Sequence, residues 1–205
     1  MTWSGEREYS EPEIARQMLE HVPIVPIGSL PENTFGRVRG TCVPFREQGV
    51  VIAPVSGRSC FLYLAHVEAI YGPNRQQFGE RLGIPFVIED DDHRAILDPT
   101  YARLRIRYER VAMRIGSHAT KSEQALLRRL GVPLGAPELP PPQFVFQEAR
   151  IEPGMRIAAC GAGVREPDPD ADPTGMYRGE PRTRLRITGS PRTAIAISND
   201  AELLF

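Results

Sequence analysis

The sequence predicts an α+β domain, mainly antiparallel β, with a small barrel-like (OB-like) core, one N-terminal helix and one inserted helix. Three observations point there. The 205 residues include 20 prolines and 18 glycines, which cut the chain into short elements and favour strands and turns over long helices. Several of those segments alternate apolar and polar residues with the period of a strand. Only two stretches combine a helix start signal with helical spacing.

The length suits one domain and is enough to bury a core without disulfide or metal support. The apolar fraction of 41%, charged fraction of 25% and net charge of -1 describe an ordinary globular chain. No global charge excess draws it to nucleic acid or an anionic membrane, so such a partner would need a local patch. Cys42, Cys60 and Cys160 are the only cysteines, without a CxxC or a Cys/His cluster. Neither a disulfide framework nor a zinc site is signalled. The start, MTWSGEREYSEPE, is polar and acidic, and no apolar run approaches the roughly 20 residues that span a bilayer. A cytoplasmic domain without membrane insertion, cofactor or metal is the expectation.

Residues 1–22 read as an N-terminal helical segment and 23–205 as the β-rich domain. Ser10 and Glu13 have capping-box spacing, and Ile14 and Met18 lie one turn apart. The helix runs over 11–21, since Pro23 disfavours helical geometry at Val22. RVRG at 37–40 is a strand closed by Gly40, and Gly49 precedes the apolar run VVIAPV. CFLYLAHVEAIYG is a central strand ended by Tyr71-Gly72. Phe86–Ile88 and Ala95–Leu97, joined across EDDDH, make a hairpin. In RLRIRY, Leu104, Ile106 and Tyr108 face one side and Arg103, Arg105 and Arg107 the other. TKSEQALLRRLGVP is the clearest helix, over 121–131. Thr120 and Glu123 form its capping box, Leu126, Leu127 and Leu130 its apolar stripe, and Gly131 its C′. APELPPP (136–142) is a stiff connector. FVFQEARI, a Pro153-Gly154 turn and MRIAACGAGV follow, with GAG at 161–163 expected as a turn between strands. Residues 166–181 form a Pro/Asp/Gly-rich loop, after which RLRIT and TAIAIS alternate again. The count is about eight to ten short strands and two helices.

Several blocks, in order, resemble the GIDE (beside-a-membrane) domain of membrane-bound RING-type E3 ubiquitin ligases and its bacterial relatives. They are RVRG at 37–40, APVSGRSC at 53–60, Val67-Glu68, FVIEDDDHRAILDP, LLRRLGVP, FQEARIEPGMRIAACG and AISNDAELL. The motif positions are Arg39, Gly40, Pro54, Ser56, Gly57, Arg58, Cys60, Glu68, Asp98, Pro99, Glu148, Pro153, Gly154 and Gly161. The resemblance runs from about Pro26 to Leu204 and implies a binding or substrate-recruiting module. Ligase members add transmembrane helices and a zinc-binding RING. Neither appears here, so ligase activity and membrane anchoring are not carried over, and the chain is E3 ligase-like without RING. The acidic turn is DDDH where the family has DGTG, and Met155 replaces an Asp.

Cys60 with His66 or His93 would make a thiol–imidazole pair, the basis of a cysteine-dependent enzyme. Free cysteines are mostly buried, and this one opens an apolar segment, so packing is expected. SGRS at 56–59 lacks the G-x-S-x-G elbow and reads as a turn. GAG has no following helix, so it is not a dinucleotide loop. Asp168, Asp170 and Asp172 have the spacing of a calcium loop. Pro173 stands at the loop-glycine position and Gly179 at the twelfth, which favours a solvated acidic loop. Arg103, Arg105, Arg107 and Arg182, Arg184, Arg186 would form a basic groove for single-stranded nucleic acid if their strands adjoined. Solvated faces paired to acids are the alternative. The leading expectation is non-catalytic recognition of a protein partner, through Arg58, the acidic turn around Asp91 and the 166–181 loop.

Overall fold

A computed structural model gives the fold and describes residues 11–45, 48–91, 93–115, 118–133, 141–168 and 183–204. Within them lie two α-helices and thirteen strands, more than the sequence reading counts. Ser10, the connector up to residue 140 and most of the 166–181 loop fall outside the described residues.

Five strands close into a barrel in the order β1 (Phe35–Val43), β6 (Phe86–Asp90), β7 (His93–Asp98), β12 (Thr183–Thr188) and β11 (Arg156–Pro167). Closure comes from β11 pairing back onto β1, from Phe35↔Ala162 to Thr41↔Arg156. β13 (Ile195–Ser198) pairs with Ala158–Cys160 of β11 and carries β8 (Ala102–Arg105) beside it. Most pairings are antiparallel; β7–β12 and β8–β13 are parallel. The β6–β7 hairpin is where the two apolar runs around the acidic turn predict it, with Asp91 at φ 50° at the tip. Val38, Phe86, Ile88, Leu97, Ile157, Leu185 and Ile187 fill the core, and Phe61 stacks on Phe86 with centroids 5.3 Å apart. Each such buried side chain contributes roughly 1.5–3 kcal/mol, against about 0–1 kcal/mol for a surface ion pair. The core therefore decides the fold.

The GAG at 161–163 is not a turn. It lies inside β11, which runs unbroken for 12 residues. A Cβ at Gly161 would stand 2.7 Å from Ile195 Cγ2 and 2.8 Å from Ile187 Cγ2, so the glycine answers close approach inside a strand. Gly40 on β1 answers the same need, since a Cβ there would meet the Glu89 carbonyl oxygen at 2.6 Å.

The second sheet has four antiparallel strands in the order β5 (Asn74–Gly83), β4 (Leu62–Tyr71), β10 (Gln143–Ile151) and β9 (Glu109–Ile115). A two-stranded ribbon, β2 (Val51–Ile52) with β3 (Ser59–Cys60), lies beside it. Cys60 thus ends β3, two residues before β4, the strand it was expected to begin. β5 and β9 are strands where the sequence reading places none. β5 is a polar edge in which no residue is buried, so it lacks the apolar alternation that marks a half-buried strand. RLRIRY splits: β8 ends at Arg105, while Leu104 and Ile106 still point inward.

Helix α2 (Lys121–Arg129) covers one face of this sheet, packing Leu126 and Leu127 with Phe144, Phe146 and Val67. Its capping box is as read: Glu123 N donates to Thr120 Oγ1 at 3.2 Å and Thr120 N to Glu123 Oε2 at 2.6 Å. At its far end Arg129 donates twice to Glu80 of β5, both at 2.8 Å, and Tyr63 Oη donates to the same carboxylate at 2.6 Å.

Helix α1 (Glu11–Glu20) packs Ala15 and Leu19 on Ala158, Cys160, Ala196 and Leu203. Arg37 of β1 donates to the Leu19 carbonyl at 2.7 Å and also to that of Leu203, and Arg39 donates to that of Leu204 at 2.9 Å. Two β1 arginines thus fasten α1 and the C-terminal turn to the barrel. No helix among the described residues is long and apolar enough to cross a membrane, which says nothing of strands.

The hydrogen bonds from Arg129 hold the Glu80 carboxyl below its ordinary range. A depressed folded value stabilises above the unfolded pKa, roughly 4.3, and the gain disappears as pH falls through the folded one. Glu80→Gln should therefore lower the thermal midpoint at neutral pH and flatten its decline on acidification. Parallel acid limbs for the two proteins would contradict this.

Candidate functional site

The loop APVSGRSC closes on itself. Ala53 N donates to Arg58 O at 2.9 Å and Gly57 N to Ala53 O at 3.0 Å, while Val51 and Ile52 pair with Cys60 and Ser59. It is then seated on a buried carboxylate. Glu148 of β10, fully buried, accepts from Val55 N at 2.8 Å and Ser56 N at 3.2 Å. Arg150 compensates it at 2.9 Å and also bonds Glu152 at 2.8 Å and Glu109 at 2.9 Å. Burial pulls the Arg150 pKa down, yet its carboxylate partners hold it above the ordinary value. Arg58 closes the outer rim on Glu152 at 3.1 Å while remaining largely exposed.

Motif residues distant in sequence (Pro54, Ser56, Gly57, Arg58, Cys60 and Glu148) therefore meet at one place. The network positions a loop and holds no nucleophile–base pair. Cys60 is fully buried, and burial first, then Glu148, pushes its thiol up to about 11.

The remaining motif positions hold the frame elsewhere. Gly154 N donates to Cys42 O at 2.8 Å at the Pro153-Gly154 turn. Asp98 accepts from Thr100 N at 3.0 Å and caps the turn beginning at Pro99. Glu68 pairs with Arg75 at 3.0 Å. Arg58 and Asp91 stand on separate elements, the first on the β2–β3 loop and the second on the β6–β7 turn.

The two arginine strands do not adjoin. In the sheet order, β11 and β13 separate β12 from β8. Arg103 pairs with Glu11 at 3.2 Å and Arg105 with Asp200 at 2.9 Å, while Arg184 and Arg186 share Glu166, each at 2.7 Å. Arg107 follows β8, its backbone N bonded to Asn199, and Arg182 lies outside the described residues. The basic groove is not assembled from the described residues. Asp170 and Asp172 also lie outside them, and Asp168 stands 3.8 Å from Arg184. Among the described residues no group of three His, Cys, Asp or Glu could hold a metal.

A further concavity involves none of the motif loops. A cleft of about 980 Å³ opens between one face of the four-stranded sheet, β8 with its continuation, and the start of α1. Register places Glu68 beside Gln77 and His66 beside Gln147, all on the cleft face. Leu64, Leu104 and Ile106 supply apolar surface, and Tyr108 stands at the far wall. Arg81 donates to the Ala102 carbonyl at 2.9 Å and to that of Pro99, tying β5 to β8; burial lowers its pKa. The alternation AHVE in β4 puts His66 and Glu68 on one face, but nothing in the sequence says that β8 and α1 wall that face.

Two outcomes are expected. Arg150→Met, which leaves Glu148 buried without its cation, should cost roughly 3–5 kcal/mol in denaturant unfolding; a change within error would contradict the role given to the pair. Cys42, Cys60 and Cys160 are all fully buried, so a mild alkylating agent should label them only after denaturation; rapid native labelling of Cys60 would overturn the packing role.

No family model, no curated protein and no solved structure matches this chain.

Proposed function

We propose that the chain is a non-catalytic recognition domain that binds a protein partner, taking an extended segment of it in the cleft walled by β4, β5, β10 and β8. The cleft is the observation that carries this reading. Its volume of about 980 Å³ is at the upper end for ligand pockets, ~300–1,000 Å³. The side chains facing it suit a peptide: Gln77 and Gln147 each donate and accept, His66 and Tyr108 add polar contacts, and Leu64, Leu104 and Ile106 offer apolar surface. The GIDE-like block order agrees with a recruiting module. Against a cysteine-dependent enzyme stands the buried thiol of Cys60, whose pKa burial raises. Against nucleic acid stand arginines already paired with acids on separated strands.

The test is a library of extended peptides screened by calorimetry, with the strongest binder rerun against His66→Ala/Gln147→Ala. Hydrogen bonds lost in a desolvated cleft cost about 1–3 kcal/mol, so affinity should fall at least about tenfold with the thermal midpoint kept. Peptide binding indifferent to both changes would overturn the assignment. So would salt-sensitive binding of single-stranded oligonucleotides abolished by Arg105→Glu or Arg184→Glu.

A further inference from the structure

The two edges of the four-stranded sheet differ in kind. β5 is polar over its first four residues, with Asn74, Arg75, Gln76 and Gln77 exposed, the usual way to blunt a strand edge. β9 is the opposite. Its sequence, ERVAMRI, contains no proline or glycine, and among the described residues no strand pairs with its outer side. Val111, Met113 and Ile115 are 37%, 55% and 45% exposed. Met113 and Ile115 share one face by the period of two, and Val111 stands next to them where β9 shifts register against β10, while Ala112 is buried under α2 and Arg114 reaches Glu123 at 3.5 Å. Val111, Met113 and Ile115 thus form an exposed apolar row.

We propose that β9 pairs with β9 of a second copy, antiparallel about a two-fold axis through Met113, so that two four-stranded sheets continue as one of eight. The choice of occupant follows from self-complementarity. An isologous contact needs a strand that matches its own reverse, and side chains of the same face must oppose one another. Centred on Met113, the strand sets Met113 against Met113, Val111 against Ile115 and Ala112 against Arg114. Every exposed apolar residue gains an apolar partner and no like charges meet. Centred on Ala112 it would oppose Glu109 to Ile115, a carboxylate against an apolar side chain. Centred on Val111 it would oppose Glu109 to Met113 and leave Ile115 alone. An edge so matched to itself needs no foreign strand, and the pairing is independent of the cleft.

The experiment uses the full chain. Because the native cysteines are buried, an introduced thiol reports alone under mild oxidant. Directly opposed strand residues have Cα atoms about 4.5–5.5 Å apart, within disulfide reach. Met113→Cys should give a disulfide-linked dimer, Val111→Cys alone should not, and Val111→Cys mixed with Ile115→Cys should give the crossed product. Met113→Lys should abolish the doubled mass in sedimentation, with circular dichroism and the dilute thermal midpoint unchanged. A parent chain that sediments as a monomer up to near-millimolar concentration would overturn the pairing. Cross-linking through Val111 alone, a dimer that survives Met113→Lys, or a β9 edge taken instead by an unrelated extended peptide would do the same.

Discussion

β11 carries three pairings that no other strand could supply together. Along its first half it bonds β1 on one side and β13 on the other, and along its second half it bonds β12. The first pairing with the last closes the barrel, and the middle one hangs β13 and β8 outside it. From residue 157 to 161 both faces of the strand are also buried. Ile157 and Ala159 point into the barrel, and Ala158 and Cys160 lie under α1. At Gly161 the absence of a Cβ lets Ile187 of β12 and Ile195 approach closely. A bulky substitution at Gly161 would force apart Ile187 and Ile195, and with them two of the three pairings.

The second sheet depends on the first through shared apolar surface. Leu62, Ala149 and Ile151, at one end of β4 and β10, belong to the barrel's core, whereas Tyr63, Val67, Phe144 and Phe146 belong to the core under α2. The sheet therefore changes environment along its length. Where its barrel-side face leaves the core it becomes the floor of the cleft. On the opposite face of β10 the Glu148–Arg150 network seats the APVSGRSC loop. Replacing such a buried pair by apolar residues is often neutral in stability; here the carboxylate also accepts two loop amides, which an apolar residue would leave unmet.

Much of this frame was legible in the chain. The α2 capping box, the β6–β7 hairpin and the alternation at Leu104 and Ile106 are local patterns with local physical causes, and each is realised. β5 escaped because an edge strand with no buried residue carries no apolar period. The glycines of GAG were misread because flexibility for a turn and absence of a Cβ for close packing look identical in sequence; only the neighbours Ile187 and Ile195 tell them apart. The motif residues around Glu148 were legible as positions, but their convergence depends on how β10 registers with the loop. The cleft was not legible at all. It is made by β8 and α1 closing over a sheet face, a tertiary arrangement that no single segment encodes.

Methyl chemical-shift mapping with the strongest extended peptide tests the central claim, recognition in the cleft, most directly. Shifts concentrated on Leu64, Leu104 and Ile106, with Leu126 and Leu127 beneath α2 unmoved, are the predicted result. Shifts confined to the arginine strand around Leu185 and Ile187, or no saturable shift with any peptide, would contradict it.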